Sequence, residues 1–437
     1  MEISLCIPTH DRYDSFLRDN LEKYINSPYI SEIIIADDAT DDYTKLLSVY
    51  GDNHPKVKLY RQSQNVGSFK NKVFAASLAT KDWICLIDSD NYADERYFEP
   101  LLKEWREDGI NRGSVYTPSQ GLPNFIMKES DLWYVGKREW NKTVPKTLFM
   151  NLGNFVFHKS LVPYLCISEY HQHNCHGLCS VYINWIAVKH GFNLRFIKNM
   201  AYDHVVHPGS YYTQTSRESD YFSNTFNWFL LDDHLEWAYE EADKGRSKID
   251  NEIVLLDGMT GVKTRHFYNN LLSMPGAVYL EIGTYKGSSV CAAMKNNTAN
   301  VVCIDNWSEF AAPKNEFLVN FNKHKGNNQA TFIEKDCFKV DVSQLPKFNI
   351  YMYDGNHDYD AHKKALSHYI NCMQDEFIFI VDDWNWKRVR EATREVIREL
   401  GLKIIYDKEI RLTEEEDGNT TNKETWWNGM YLCVLRK

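Results

Sequence analysis

The chain has 437 residues, more than one usual domain, so two domains are expected. Its 43% hydrophobic and 25% charged residues describe an ordinary globular protein and exclude a disordered or collagen-like one. The net charge of −10 argues against a broad nucleic-acid footprint, so anionic ligands would need a metal ion or local basic groups.

The opening Met1-Glu2-Ile3-Ser4 lacks a basic segment followed by an apolar one, so no signal peptide is expected. No apolar window approaches the roughly 18 residues of a membrane span. Ten cysteines are scattered, several inside apolar strand-like runs, which fits a reducing, cytoplasmic setting. His171, His173, Cys175, His176 and Cys179 cluster in sequence, but their order matches no regular zinc-finger spacing.

In chain order, Ile3–Thr9 reads as a strand stopped near Pro8, followed by a helix around 15–25. Glu32 to Asp38 is an apolar strand ending in two acids, Asp37 and Asp38. A strand near 57–60, the turn Asn65-Val66-Gly67 and a helix over 69–78 come next. Trp83 to Ile87 is a fourth apolar strand, ending in Asp88-Ser89-Asp90. Strands alternating with helices predict a parallel sheet, and ligands bind at the C-terminal edge of such sheets. One Asp-x-Asp is readily explained as a turn. Two acid-ended strands on the same edge are harder to explain that way.

Residues 1–210 or so resemble a family 2 glycosyltransferase of the GT-A fold, on Pro8-Thr9, Asp37-Asp38, Asn65 to Gly67 with Asn71, and Asp88-Ser89-Asp90. The resemblance implies a nucleotide-sugar donor lying along Pro8, Thr9, Asn65, Gly67 and Asn71, with Asp37 or Asp38 reading the base. It also implies Mn²⁺ or Mg²⁺ on the diphosphate, held by Asp90 with Asp88 nearby. Leu152 to Phe157 resembles the acceptor-side strand, and Ala201 to Ser210 the closing strand whose histidine completes the metal shell. His207 fits that place best and His204 second. The helix from Cys179 departs from the pattern, because Cys179 and Ser180 stand where inverting members carry acids. A base must then come from elsewhere, with His176 the leading candidate, ahead of His173 or Glu169.

The segment 218–245 reads as amphipathic helices with no linker-like composition, placing the seam between 247 and 248. Beyond it, Glu281-Ile282-Gly283 to Gly287-Ser288 is a strand, a glycine turn and a helix start, and Asp305 ends the next strand. Gly-x-x-x-Gly with a distal acid suits S-adenosylmethionine better than a dinucleotide. Asp354-Gly355-Asn356-His357 and Asp382-Asp383 end two more apolar strands.

Together these resemble a class I S-adenosylmethionine-dependent sugar O-methyltransferase of Rossmann-like fold, over about 257–400. The resemblance implies Mg²⁺ on Asp354, Asp382 and Asp383, with His357 as base. Glu281, Gly283, Gly287, Ser288, Asp305 and Asp336 would form the S-adenosylmethionine pocket. The expected protein is therefore an α/β fusion, 1–247 and 248–437, with a glycan acceptor. It resembles the glycan-building fusions of large DNA viruses and bacteria, acting in the host cytoplasm if viral. Two rivals remain: a methyltransferase whose first domain is a silent binding module, and a lectin-like scaffold.

Overall fold

The computed structural model describes residues 2–51, 53–128, 131–143, 153–308, 310 and 313–437. Contacts divide the chain into two compact units, Met1–Leu230 and Leu231–Lys437. The division falls ahead of the seam expected at 247/248. The reason is the helix Leu231–Asp243, which packs on the helix Val262–Leu271 of the second unit. Its Leu231, Leu235, Ala238 and Ala242 are buried at helical spacing.

The described strands of the first unit are β1 (Ile3–Thr9), β2 (Glu32–Asp37), β3 (Val57–Arg61), β4 (Trp83–Leu86), β5 (Ser114–Leu122), β6 (Phe125–Ile126), β7 (Tyr134–Val135), β8 (Phe155–His158) and β9 (Asn193–Asp203). They form one sheet in the order β3-β2-β1-β4-β8-β5-β9-β7, with β6 on β5. The first four are mutually parallel, as expected. β8 runs antiparallel to both β4 and β5, so the sheet is mixed beyond β4. Leu5, Ile33, Ile34 and Ile84 are fully buried, as strands covered on both faces require. The parallel register brings the acid-bearing ends of β2 and β4 to one edge, on either side of β1.

The second unit holds β10 (Val278–Ile282), β11 (Asn300–Asp305), β12 (Gln329–Glu334), β13 (Phe348–Tyr353), β14 (Met373–Asp382), β15 (Lys403–Ile410) and β16 (Met430–Arg436). Their order is β12-β11-β10-β13-β14-β16-β15. β10 to β14 are parallel, and β16 runs antiparallel between β14 and β15. The sheet order reverses between β10 and β11 on one side and β13 on the other, the switch point where doubly wound sheets bind ligands. No helix among the described residues is long and apolar enough to cross a membrane.

Candidate functional site

In the first unit, the ends of β1, β2 and β4 open on a cavity of about 380 Å³. Pro8, Thr9, Asp38, Asn65, Gly67, Asn71, Asp88 and Asp90 all line it. Asp37 does not. It is fully buried, and its two oxygens accept from Thr40, the backbone N–H at 2.8 Å and the hydroxyl at 2.5 Å. Asp37 therefore closes its own turn. Asp38 accepts the N–H groups of Val66 at 2.8 Å and Gly67 at 3.1 Å, pinning the Asn65–Gly67 turn to the end of β2. Asn71 donates to the Ala36 carbonyl at 2.8 Å. Its own oxygen and the Thr9 hydroxyl are buried without a partner among the described residues. Orphaned polar atoms of this kind in a cavity wall mark groups for a ligand to satisfy.

The two acids after β4 have different partners. Asp88 lies 2.6 Å from the ammonium of Lys72, a side chain only 7% exposed. Burial alone would pull the Lys72 pKa down, but the charge of Asp88 and the nearby Cys179 carry it upward instead. Asp90 lies 3.2 Å from Nε2 of His207, whose ring packs against Phe16. Burial first, then the charge of Asp88, raises the Asp90 pKa, while His207 opposes the shift. Asp90 thus pairs with His207, while Asp88 is turned to Lys72. His204 also lines the cavity, and burial lowers its pKa, favouring the neutral imidazole.

The structure does not bring His176 into this lining; its neighbour Gly177 is there instead. His176 has left-handed backbone, φ 49°, in a short turn before the Cys179–Lys189 helix. His173 packs among the rings of Tyr182, Phe222 and Phe226 and is driven toward neutrality by burial. His171 meets the Leu165 carbonyl at 2.9 Å. Cys179 and Ser180 do line the cavity, with Cys179 Sγ 3.0 Å from the Ser68 hydroxyl. Leu152 lies outside the described residues. Among the described lining residues the carboxylates are Asp38, Asp88 and Asp90, and each already has a partner.

In the second unit, β13 and β14 run side by side and parallel, which sets Asp354 beside Asp382 and Asp383. One ligand atom each from Asp354, His357 and Asp383 lies within 4.8 Å of the others. His357 Nε2 is 3.0 Å from Asp383 and 3.7 Å from Asp354. Asp382 is 3% exposed, and one of its oxygens has no partner among the described residues. Burial, then the charge of Asp383, pushes its pKa up to about 7; burial, then the charges of Asp382 and Asp383, raises Asp354 as well. Asp383 also has left-handed backbone, φ 55°, a cost tolerated where geometry is held for use. Crowded hard oxygens of this kind fit a magnesium-like cation, which would relieve their mutual repulsion.

The expected cofactor residues lie at or just beyond the ends of three neighbouring strands, β10, β11 and β12. Asp305 accepts the N–H groups of Thr284 at 2.8 Å and Tyr285 at 2.9 Å, tying the glycine turn to β11. Ser288 Oγ is 3.0 Å from the Thr260 hydroxyl, and Gly287 opens the helix Ser288–Met294 with φ 86°. Asp336 caps the turn at 337–339 through the Phe338 N–H. Gly283 has φ 84°, and a Cβ there would sit 1.9 Å from the Asp354 carbonyl oxygen. The glycine thus serves the approach of β10 to the Asp354 backbone. Gly283→Ala should cost at least about 3 kcal/mol of stability, from overpacking plus a left-handed alanine, read as a drop in the urea midpoint.

Glu281 is fully buried and accepts from Ser289 at 2.6 Å and Tyr279 at 2.7 Å. Burial pushes its pKa up to about 7 from an ordinary 4.5. The folded state therefore keeps a proton that the unfolded state releases. That stability is complete below about pH 4.5 and is lost as pH rises through about 7. Glu281→Gln should flatten the fall in stability between about pH 5 and 8, by on the order of 3 kcal/mol. Paired denaturation series at the two pH values check this.

Residues 4–164 match the family model described as Glycosyl transferase family 2, and residues 280–384 the model described as Methyltransferase domain. A curated relative, the uncharacterized glycosyltransferase YibD of Escherichia coli, is 27% identical over 112 residues, or 25% of this chain. The match spans 32% of that relative's length. S. aureus TarS 1–349 in complex with UDP aligns over 62% of this chain and 71% of its own, at 14% identity and TM-score 0.36. A putative O-methyltransferase from Klebsiella pneumoniae aligns over 51% of this chain and 97% of its own, at 12% identity and TM-score 0.32. The chain therefore carries a family 2 glycosyl transferase domain followed by a methyltransferase domain.

Proposed function

We propose that this chain is a bifunctional glycan-building enzyme. The first domain transfers a sugar from a nucleotide donor to a glycan acceptor, and the second O-methylates a sugar hydroxyl with S-adenosylmethionine. The observation that carries the proposal is that each matched domain ends its parallel strands in a carboxylate centre. In the first, Thr9, Asn71 and the Asp38-pinned turn line the nucleotide, while Asp90 and His207 hold the cation. Bound Mn²⁺ or Mg²⁺ supplies charge neutralisation of the departing diphosphate. Lys72 keeps Asp88 fixed beside it.

In the second domain, Glu281, the Gly283–Ser288 turn and Asp305 would surround the cofactor, and Asp354, Asp382 and Asp383 would hold Mg²⁺. The cation would bind the acceptor hydroxyl and make it more acidic. His357 would take the hydroxyl proton, and S-adenosylmethionine, when bound, would supply the methyl group to that oxygen and leave with the carbon–sulfur electrons on sulfur.

One observation favours a second reading of the first domain. Every described carboxylate in its cavity is already engaged, and Cys179 and Ser180 stand where an acidic base would act. A silent nucleotide- or glycan-binding module fits that arrangement. The whole chain, incubated with a panel of nucleotide sugars and Mn²⁺, separates the two. Nucleotide release with glycan product supports transfer, and binding without release supports the silent module. Methyl incorporation from S-adenosylmethionine into a glycan would dispose of a purely lectin-like scaffold.

A further inference from the structure

Beside the second unit's carboxylate centre stands an arginine that, among the described residues, pairs with no acid. Arg388 lies in the first turn of the helix Lys387–Glu399 and is exposed. Its Nε donates to the His357 carbonyl at 3.0 Å, and its guanidinium carbon sits 4.6 Å from the centre of the Trp386 ring. Trp386 is itself fixed. Its indole N–H donates to Asn419 Oδ1 at 3.0 Å, and its ring meets that of His357 at 5.1 Å and 86°. An exposed arginine is ordinarily free to move and loses that freedom on binding. Here a hydrogen bond and a cation–π contact have already restrained it. Lys387 and Arg394 on the same helix are ion-paired, with Glu416 and Glu409. Arg388 instead keeps its two outer nitrogens without a hydrogen bond among the described residues.

We propose that Arg388 determines the class of methyl acceptor, by binding a carboxylate or phosphate carried on the sugar whose hydroxyl meets the carboxylate centre. The inference rests on the second domain methylating a sugar hydroxyl. A guanidinium suits either anion, because its planar N–H groups match two oxygens at once. The acids at Asp354, Asp382 and Asp383 would repel such a substrate, and a fixed cation beside them offsets that repulsion. Strand order separates this anion from the cofactor. The residues assigned to S-adenosylmethionine lie at β10, β11 and β12, whereas Arg388 follows β14, beyond Asp354. His357 anchors the guanidinium through its carbonyl and reaches Asp354 and Asp383 through its ring. The spacing between anion and reacting hydroxyl is thus set within one residue, which suits an anion on the same sugar.

The test uses the full chain labelled with ¹⁵N-tryptophan, in Mg²⁺, the Trp386 indole signal being identified by its loss in Trp386→Phe. D-Glucuronate, D-glucose 6-phosphate and D-glucose are titrated separately, so that the carboxylate and the phosphate are told apart. At least one anion should shift the signal with a Kd about 10-fold or more below that of glucose, the lower end for a charge-assisted hydrogen bond. Arg388→Gln should abolish that preference, and Lys387→Gln, which removes a neighbouring charge already paired with Glu416, should keep it. No shift by either anion, a Kd equal to that of glucose, or a preference that survives Arg388→Gln overturns the proposal. Equal loss in Lys387→Gln overturns it too, since the effect would then be one of net charge. Methyl transfer to neutral sugars, undiminished in Arg388→Gln, would end the proposal and leave the methyltransferase reading standing. Anion binding at Trp386 without methyl transfer to any sugar would remove that reading instead, so the two failures are distinguishable.

Discussion

His357→Gln should lower the rate of methyl transfer by about 10²–10⁴-fold, the usual contribution of a positioned base. The geometry behind this is specific to one atom. Nε2 of His357 lies 3.0 Å from Asp383 and 3.7 Å from Asp354, at the point where a cation-bound hydroxyl would arrive. Glutamine keeps much of the volume and a polar end but accepts no proton at neutral pH. The expected loss is therefore in kcat. Binding of S-adenosylmethionine, which the proposed function assigns to Glu281 and Asp305 near the ends of β10 and β11, should persist in calorimetry. A variant that methylates at the wild-type rate would assign the proton to another group. A variant that loses cofactor binding would show that the histidine is structural.

Asp90→Asn should reduce metal-stimulated release of nucleotide from a sugar donor by about 10²–10³-fold, the range for removing one preorganised electrostatic contact. Asp88 cannot substitute readily, because its carboxylate lies 2.6 Å from the buried ammonium of Lys72. Swapping Asp90 for asparagine keeps its shape beside His207, 3.2 Å away, and removes only the charge. The concentration of Mn²⁺ needed for half-maximal release should rise in the same variant. Undiminished release across a Mn²⁺ titration would take the cation away from Asp90. Complete absence of release in the wild type would instead favour the silent binding module.

Much of this was legible because apolar strands followed by acids are a pattern that sequence exposes directly. β1, β2 and β4, and later β13 and β14, were readable as buried runs, and Asp38, Asp88, Asp90, Asp354 and Asp383 reach the expected edges. Adjacent acids were harder to tell apart, because Asp37 and Asp38 differ only in which side of the strand end they take. Asp37 turns inward to Thr40, and Asp38 outward to the cavity. Lys72 was missed because it sits inside a helix, where its importance comes from what another element places opposite it. Nothing in local spacing reports a partner that is distant in sequence, as Asp88 is from Lys72. The contact division falls ahead of the expected seam for a related reason, since burial of the helix Leu231–Asp243 depends on a helix that follows it.

The position of β16 bears on the order in which the second unit assembles. β15 precedes β16 in the chain, yet β16 is the strand that separates it from β14. Synthesis thus delivers an edge strand before the neighbour it must pair with. Until β16 inserts, β14 has one side unpaired, including Asp382, whose partner in register is Met430. Such non-local pairing is slow because the connecting loop must close first. The strand that carries Asp382 therefore has neighbours on both sides only once the last strand of the chain is paired.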